Sequence, residues 1–105
     1  MRLLTAETRS RLPALYVTEN DPDAKAVLKL FLPGTRWTWY VSEFDGDDLL
    51  YGYVLSGLER RFDECGYSSL SELESLRGPY GFNVERDRAF RLTMLRDIAE
   101  RGEIV

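Results

Sequence analysis

The chain has 105 residues, of which 44% are hydrophobic and 30% charged, and its formal net charge is −4. This length and composition predict one soluble globular domain spanning residues 1–105. The acidic balance disfavours direct binding to nucleic acid, which depends on cationic contacts with phosphate. The absence of histidine excludes a Ser-His-Asp triad, a Cys-His pair and a histidine-ligated zinc site within the chain.

The sequence also bears on the compartment. No apolar stretch approaches the roughly 20 residues that a membrane-spanning helix needs, and the first residues lack the apolar core of a signal peptide. The lone Cys65 has no partner for an internal disulfide and no histidine to activate it. We therefore expect a cytoplasmic protein without a membrane anchor, a resident cofactor or a metal.

The first predicted element is a short helix over residues 5–12. Thr5 is a suitable N-cap residue, and Pro13 ends the helix. The polar stretch 16–25 is typical of a loop because it contains an Asn-Asp-Pro-Asp turn sequence.

Three strands are predicted next, over residues 26–32, 37–44 and 49–55, joined by turns rich in proline, glycine and aspartate. A fourth strand is predicted over residues 58–64. Alternation places three leucines on one face of the first strand: Leu28, Leu30 and Leu32.

Two short helices are predicted in the last third of the chain. Ser69 and Glu72 form a capping-box pattern, with a second possible register two residues later, and predict a helix through Leu76. After an irregular stretch over residues 81–91, a final helix is predicted over 93–101 with Gly102 as its C-cap. The predicted fold class is α+β, a three- to four-stranded antiparallel meander flanked by short helices.

The aromatic run of the second predicted strand has two interpretations. Trp37 and Trp39 lie two residues apart and share one face, with Tyr40 on the other. Such rings belong to a core in most small domains. They are also the residue types that dominate protein interfaces, so a partner-binding face is the alternative.

An acidic turn follows this strand, formed by Glu43, Asp45, Asp47 and Asp48. Its spacing does not fit a calcium loop, in which glycine occupies the sixth position, because Gly46 lies directly after Asp45. A solvated turn is therefore favoured over a cation site. An acidic docking surface is the other open interpretation.

Charged residues alternate in the glycine-rich segment that begins at Arg77. One interpretation is an ion-pair network of Arg77, Glu85, Arg86 and Asp87 that ties a long loop to the sheet. The alternative is a catalytic site in which Glu85 and Asp87 act as paired carboxylates beside Arg77.

Seven short motifs occur in a fixed order along nearly the whole chain. They are LPALY (12–16), WTWY (37–40), EFDG (43–46), GY (66–67), SLSELE (69–74), RGP (77–79) and ERD (85–87). As a set they resemble a bacterial family of small proteins, domain of unknown function 2958. The resemblance implies an accessory protein carried by plasmids, phages and integrative elements, and it implies no reaction, substrate or catalytic residue.

The function expected from these observations is a small acidic, non-enzymatic binding protein. Its expected partner is a host protein such as a defence or restriction nuclease, which acidic side chains inhibit by standing in for nucleic-acid phosphates. The first alternative is a carboxylate-based or metal-assisted enzyme that uses Glu85, Asp87 and Arg77. The second alternative is a nucleic-acid-associated regulator.

Overall fold

The computed structural model describes residues 2–101, which form an antiparallel α+β fold as the sequence predicts. Its helices are α1 (Ala6–Arg11), α2 (Leu70–Ser75) and α3 (Leu95–Arg101). Its strands are β1 (Lys25–Ala26), β2 (Leu28–Phe31), β3 (Thr38–Phe44), β4 (Leu49–Leu55), β5 (Glu64–Ser69), β6 (Glu85–Arg86) and β7 (Thr93–Met94). None of the helices in this part of the chain has the length and apolar character needed to cross a membrane.

The strands form two sheets. The main sheet has five strands in the order β5-β4-β3-β2-β6, and β1 pairs with β7 in a separate two-stranded sheet. The central meander β2-β3-β4-β5 is antiparallel throughout. The predicted three to four strands therefore undercount the sheet, because the added strand β6 arrives from more than 50 residues further along the chain than β2.

The first two helices begin where the sequence places their caps. The Thr5 hydroxyl accepts a hydrogen bond from the backbone N–H of Thr8 at 3.0 Å, and the Ser69 hydroxyl accepts one from Glu72 at 3.2 Å. The first of the two capping registers predicted for α2 is thus the one the chain adopts. Each cap satisfies an N–H group that has no partner within its helix.

The predicted strand over residues 58–64 is wrong. Arg60–Phe62 form a single 3₁₀ turn, and β5 begins only at Glu64. The reason is Asp63. Its carboxylate accepts a hydrogen bond from the backbone N–H of Ser56 at 2.7 Å and forms an ion pair with Arg36 at 2.6 Å. These contacts close residues 56–63 into a loop instead of leaving them extended.

The last predicted helix begins two residues later than expected. Thr93 and Met94 are extended because they pair with Ala26 and Lys25, and α3 begins at Leu95. Gly102, its predicted C-cap, lies outside the described residues.

The two faces of the main sheet differ in composition. We call one the leucine face; it belongs to the larger core, and its buried strand residues are Leu28, Leu30, Trp39, Val41, Phe44 and Leu50. We call the other the tyrosine face; by register it carries Tyr40, Tyr51, Tyr53, Leu55, Cys65 and Tyr67. A smaller core on the tyrosine face joins Tyr40 and Leu55 to Ala26 and Ile98.

A β-bulge in β3 connects these faces to the candidate site. Val41 pairs with Gly52 and Glu43 pairs with Tyr51, so Ser42 is an extra residue on β3. The bulge moves Glu43 onto the tyrosine face and returns Phe44 to the larger core. Without it, alternation would direct the Glu43 carboxylate into apolar surroundings.

Candidate functional site

A buried glutamate organises the tyrosine face. Glu43 is only 3% exposed. Its Oε1 accepts the backbone N–H of Tyr16 at 2.9 Å, and its Oε2 accepts both the backbone N–H of Thr18, at 2.9 Å, and the Thr18 hydroxyl. The carboxylate therefore holds residues 16–18 over the sheet, 25 or more positions away in sequence.

Tyr16 adopts a left-handed backbone conformation, with φ at 70°, and its side chain is 60% exposed. This conformation costs a residue other than glycine roughly 1–2 kcal/mol. The charge-assisted hydrogen bond from the Tyr16 N–H to Glu43 offsets part of that cost. Strain of this kind persists only where neighbouring contacts fix the backbone, and here it presents an aromatic ring to solvent.

A cleft of about 240 Å³ lies between this segment and the sheet. It is lined by Tyr16, Thr18, Glu19, Asp21, Pro22, Ala24, Glu43, Tyr51, Tyr67 and Leu95. Three tyrosines and three carboxylates thus share the lining with no lysine or arginine. The cleft is aromatic and acidic.

The tyrosines of the cleft are in mutual contact. The Tyr51 and Tyr67 rings lie 5.0 Å apart at 56°. Burial, reinforced by the neighbouring Cys65, raises the pKa of Tyr51 to about 12. Hydrogen bonding to the Tyr16 side chain is the main cause of a raised pKa at Tyr67, and the charges of Glu43 and Glu19 add to it.

Cys65 lies on the same face, opposite Tyr53. Burial of its thiol raises the pKa of Cys65, although the residue as a whole is exposed. The raised pKa favours the protonated thiol, which is a poor nucleophile.

Within residues 2–101, β5 is the last strand of the main sheet on the side of the cleft, so its outer edge is open. Leu70 donates its N–H to the Asp48 carbonyl at 2.8 Å, continuing the ladder between β5 and β4. Because partners alternate along an antiparallel strand, Gly66 faces β4 while the N–H and C=O groups of Cys65 and Tyr67 point away from the sheet. Tyr67 is 50% exposed, and nothing lies within 4 Å of a Cβ built on Gly66.

The aromatic run is part of the core. Trp39 and Tyr40 are 7% and 6% exposed, on opposite faces of β3. Trp37 is half-buried and stacks on Trp39, with ring centroids 6.1 Å apart. Of the two interpretations that the sequence leaves open, burial favours the structural one.

Asp45 stabilises the tight turn between β3 and β4. Its Oδ1 accepts the backbone N–H groups of Asp47, Asp48 and Leu49 at 2.8, 2.9 and 3.0 Å. These bonds, led by the one from Asp47, lower the pKa of Asp45. Asp47 itself is exposed.

Asp48 connects the same turn to α2. Its carboxylate accepts the Ser69 hydroxyl at 2.6 Å and the Ser71 N–H at 2.7 Å, and these bonds lower the pKa of Asp48. The solvated structural turn is therefore the interpretation that the contacts favour. Across residues 2–101, no three histidine, cysteine or acidic side chains are arranged to hold a metal ion.

The predicted ion-pair network around Arg77 does not form among the described residues. The Arg77 guanidinium donates to the Ser75 carbonyl at 3.1 Å, and Asp87 pairs with Lys29 at 3.9 Å. Glu85 is exposed on β6, where backbone pairing to Phe31 holds it. In place of the expected network, Arg77 and Glu85 are held by backbone contacts and Asp87 by its ion pair with Lys29.

Arginines gather at the opposite edge of the sheet, near β6. Two adjoining cavities of about 380 and 520 Å³ are both lined by Arg86 and Arg88. Arg11 lines the first and Arg2 the second. Glu7, Glu85 and Asp87 line the same two cavities, so arginines and carboxylates share this edge, whereas the charged side chains that line the tyrosine cleft are all carboxylates.

Sequence reasoning placed Glu43 in the acidic turn and did not identify the residues around it. Tyr51 and Tyr53 alternate on β4, which assigns them to one face, and Tyr67 belongs to the Gly-Tyr motif. This alternation and motif are the sequence signal from which the tyrosine face could be predicted. The approach of Tyr16 depends on a long-range contact with Glu43 and has no local signature.

Fold and site together define a small antiparallel α+β protein with an acidic, tyrosine-lined cleft beside an open sheet edge. The chain belongs to the family described as protein of unknown function (DUF2958), whose model matches residues 3–103. No curated protein and no solved structure gives a significant match.

Proposed function

We propose that the chain is a non-enzymatic binding protein that adds an extended segment of a partner protein to the free edge of β5. The observation that carries the proposal is the outward direction of the Cys65 and Tyr67 backbone groups on an exposed strand. Such groups pair readily with another strand, which is the basis of β-augmentation.

The sequence of β5 supports this proposal. Natural proteins protect sheet edges with lysine, proline, a bulge or a covering element. The six residues of β5 include neither lysine nor proline, and Glu64 is their one charged side chain. Its register with β4 runs without a bulge. An edge left in this state in a small domain is suited to recognition.

The setting and the partner class belong to the same proposal. The family resemblance favours a mobile-element protein acting in the host cytoplasm, where a defence or restriction nuclease is the first partner to test. Mimicry of nucleic acid by the acidic turn is a weaker route, because the Asp45 and Asp48 carboxylates already accept internal hydrogen bonds. Edge pairing needs neither of them.

The test compares two variants at one position. Cys65→Pro removes an outward N–H while keeping a backbone geometry that an edge strand tolerates. Cys65→Ala removes the thiol and keeps the N–H. Wild type and Cys65→Ala are expected to retain a stoichiometric partner from host lysate, and Cys65→Pro is expected to lose it. In the wild-type complex, hydrogen exchange is expected to slow at the backbone N–H groups of Cys65 and Tyr67.

Circular dichroism of the free proteins checks that both variants are folded. Equal capture of the partner by Cys65→Pro would reject the edge as the docking site. Failure of the wild type to retain any stoichiometric partner would reject the binding function itself.

A second candidate, a nucleic-acid-associated regulator, is favoured by the arginine cluster at the β6 edge. Four arginines line two adjoining cavities there, together with the carboxylates of Glu7, Glu85 and Asp87; the arginines are Arg2, Arg11, Arg86 and Arg88. Arginine is the residue best suited to phosphate. A gel-shift assay at low salt, with wild type and Arg86→Ala/Arg88→Ala, tests it. Retardation of duplex or single strands that the double variant abolishes would favour this candidate over protein docking.

A further inference from the structure

The lining of the tyrosine cleft selects for positive charge. The carboxylates of Glu19 and Asp21 are exposed at its rim, Glu43 lies at its floor, and no basic side chain lines it. The charges of Glu43 and Glu19 also contribute to the raised pKa of Tyr67. The field in the cleft therefore opposes negative charge, including that of a tyrosinate.

The aromatic rings add a second preference. Tyr51 and Tyr67 lie 5.0 Å apart, and Tyr16 is fixed near Tyr67 by its hydrogen bond to Glu43. Tyrosine faces attract cations through the ring quadrupole, and a planar guanidinium stacks on them particularly well. Carboxylates beside aromatic faces form a complementary site for such a group.

From these observations we infer that the cleft binds an arginine side chain of the partner protein. This inference rests on the proposed function, since the cleft adjoins β5 through Tyr67, and an extended segment paired with β5 passes beside it. Backbone pairing then supplies affinity, and the arginine side chain in the cleft selects the partner sequence.

A bare metal ion fits the cleft less well. Both oxygens of Glu43 already accept hydrogen bonds from Tyr16 and Thr18, and Asp21 Oδ1 accepts the N–H of Asp23 at 2.8 Å. A hard cation needs six or more oxygen ligands, by the usual coordination of about 6–8 for calcium. A guanidinium needs only one or two carboxylates and an aromatic face.

The test uses a small probe, independent of any partner. Blocked arginine (N-acetyl-arginine N-methylamide) is titrated into the full chain and followed by NMR, with blocked citrulline as its neutral isostere. Blocked arginine is expected to shift the resonances of Tyr16 and Tyr67, and citrulline to bind at least several-fold more weakly. Binding is expected to weaken as salt is added.

Three variants assign the site. Tyr67→Ala is expected to weaken the probe roughly two- to fivefold through the loss of an exposed cation–π contact. Glu19→Gln, a surface change that leaves the fold intact, is expected to weaken it by about the same factor. Tyr80→Ala removes a tyrosine that is 94% exposed outside the cleft and is the matched control.

Each remaining outcome decides the matter. Equal binding of blocked arginine and blocked citrulline, or no binding of either, overturns the inference. Choline is titrated as a second cationic probe, and tighter binding of choline than of blocked arginine overturns the assignment of the cleft to an arginine side chain. Cys65→Pro is expected to bind the probe normally. If Tyr67→Ala or Glu19→Gln abolishes probe binding but the variant still captures the partner, only the inference about the cleft is rejected. If the probe binds as expected but Cys65→Pro captures the partner as well as wild type does, only docking at the edge of β5 is rejected.

Discussion

The two faces of the main sheet perform different tasks with different chemistry. The leucine face packs against α2 and the N-terminal residues Leu3 and Leu4. It buries an apolar set that includes Leu30, Trp39 and Leu73. The tyrosine face has a smaller apolar core, and the segment above its cleft is held by the hydrogen bonds of Glu43. The difference teaches that apolar burial closes one side of this domain, while a polar anchor on the other side leaves a solvent-accessible cleft.

The largest expected effect comes from the closed side. Leu30 is 0% exposed in the larger core, so Leu30→Ala removes buried methyl groups and leaves a cavity. We expect a loss of about 2–5 kcal/mol in the free energy of unfolding, measured by urea denaturation. Leu92→Ala, at a position 55% exposed, is the control, and equal losses at both sites would contradict the division between a sealed core and the surface.

On the open side, Glu43→Gln tests the polar anchor. The substitution keeps the shape of the side chain, but one carboxylate oxygen becomes an NH₂ group that faces the N–H donor of either Tyr16 or Thr18. We expect a loss of roughly 1–3 kcal/mol, typical of an unsatisfied buried donor, and faster hydrogen exchange over residues 16–21. The exposed Glu19→Gln is the control, and unchanged exchange in Glu43→Gln would show that other contacts hold the segment.

A smaller, pH-dependent effect is expected at Asp63. Its ion pair and hydrogen bonds with Arg36 lower the pKa of Asp63 in the folded state. Stability from this group is therefore complete above the unfolded pKa of about 4 and is lost as the pH falls through the lower folded pKa. Asp63→Asn is expected to be less stable at neutral pH and to lose less stability on acidification, as followed by thermal unfolding from pH 7 to pH 2.

Asp47→Asn, at an exposed turn position, is the control for the acid titration. A wild-type acid profile in Asp63→Asn would remove this ion pair as a source of the pH dependence.

The smallest effect concerns the tyrosines of the cleft. Burial raises the pKa of Tyr51 to about 12, so the neutral hydroxyl is favoured in the folded state. Its contribution to stability is complete below the ordinary tyrosine pKa of about 10 and is lost as the pH rises towards the folded value. Tyr51→Phe is expected to remove an ionisation at high pH from a spectrophotometric titration, whereas Tyr80→Phe, at a position 94% exposed outside the cleft, is expected to leave that ionisation in place.

Local chemistry was sufficient to predict much of the framework. Thr5 and Ser69 marked the starts of α1 and α2 because capping is a contact over three residues. The alternation of Leu28, Leu30 and Leu32 marked a buried strand face, and all three are buried. These features depend on neighbours within one turn or one strand.

The features that were missed depend on distant partners. β5 contains one glycine, two serines and no β-branched residue, with Tyr67 as its one aromatic side chain, and its pairing with β4 makes it a strand. β7 was assigned to a helix because its pairing with β1 joins residues about 70 positions apart. The cleft was missed for the same reason, since the bond from Tyr16 to Glu43 spans 27 positions.

The extra residue in β3 has a consequence for comparing relatives of this chain. A relative without a counterpart of Ser42 would keep the acid on the tyrosine face and Phe44 in the larger core, because removal of the extra residue restores regular alternation after Val41. Relatives with either spacing from Val41 to Phe44 can therefore place the same carboxylate where it holds residues 16–18 over the sheet.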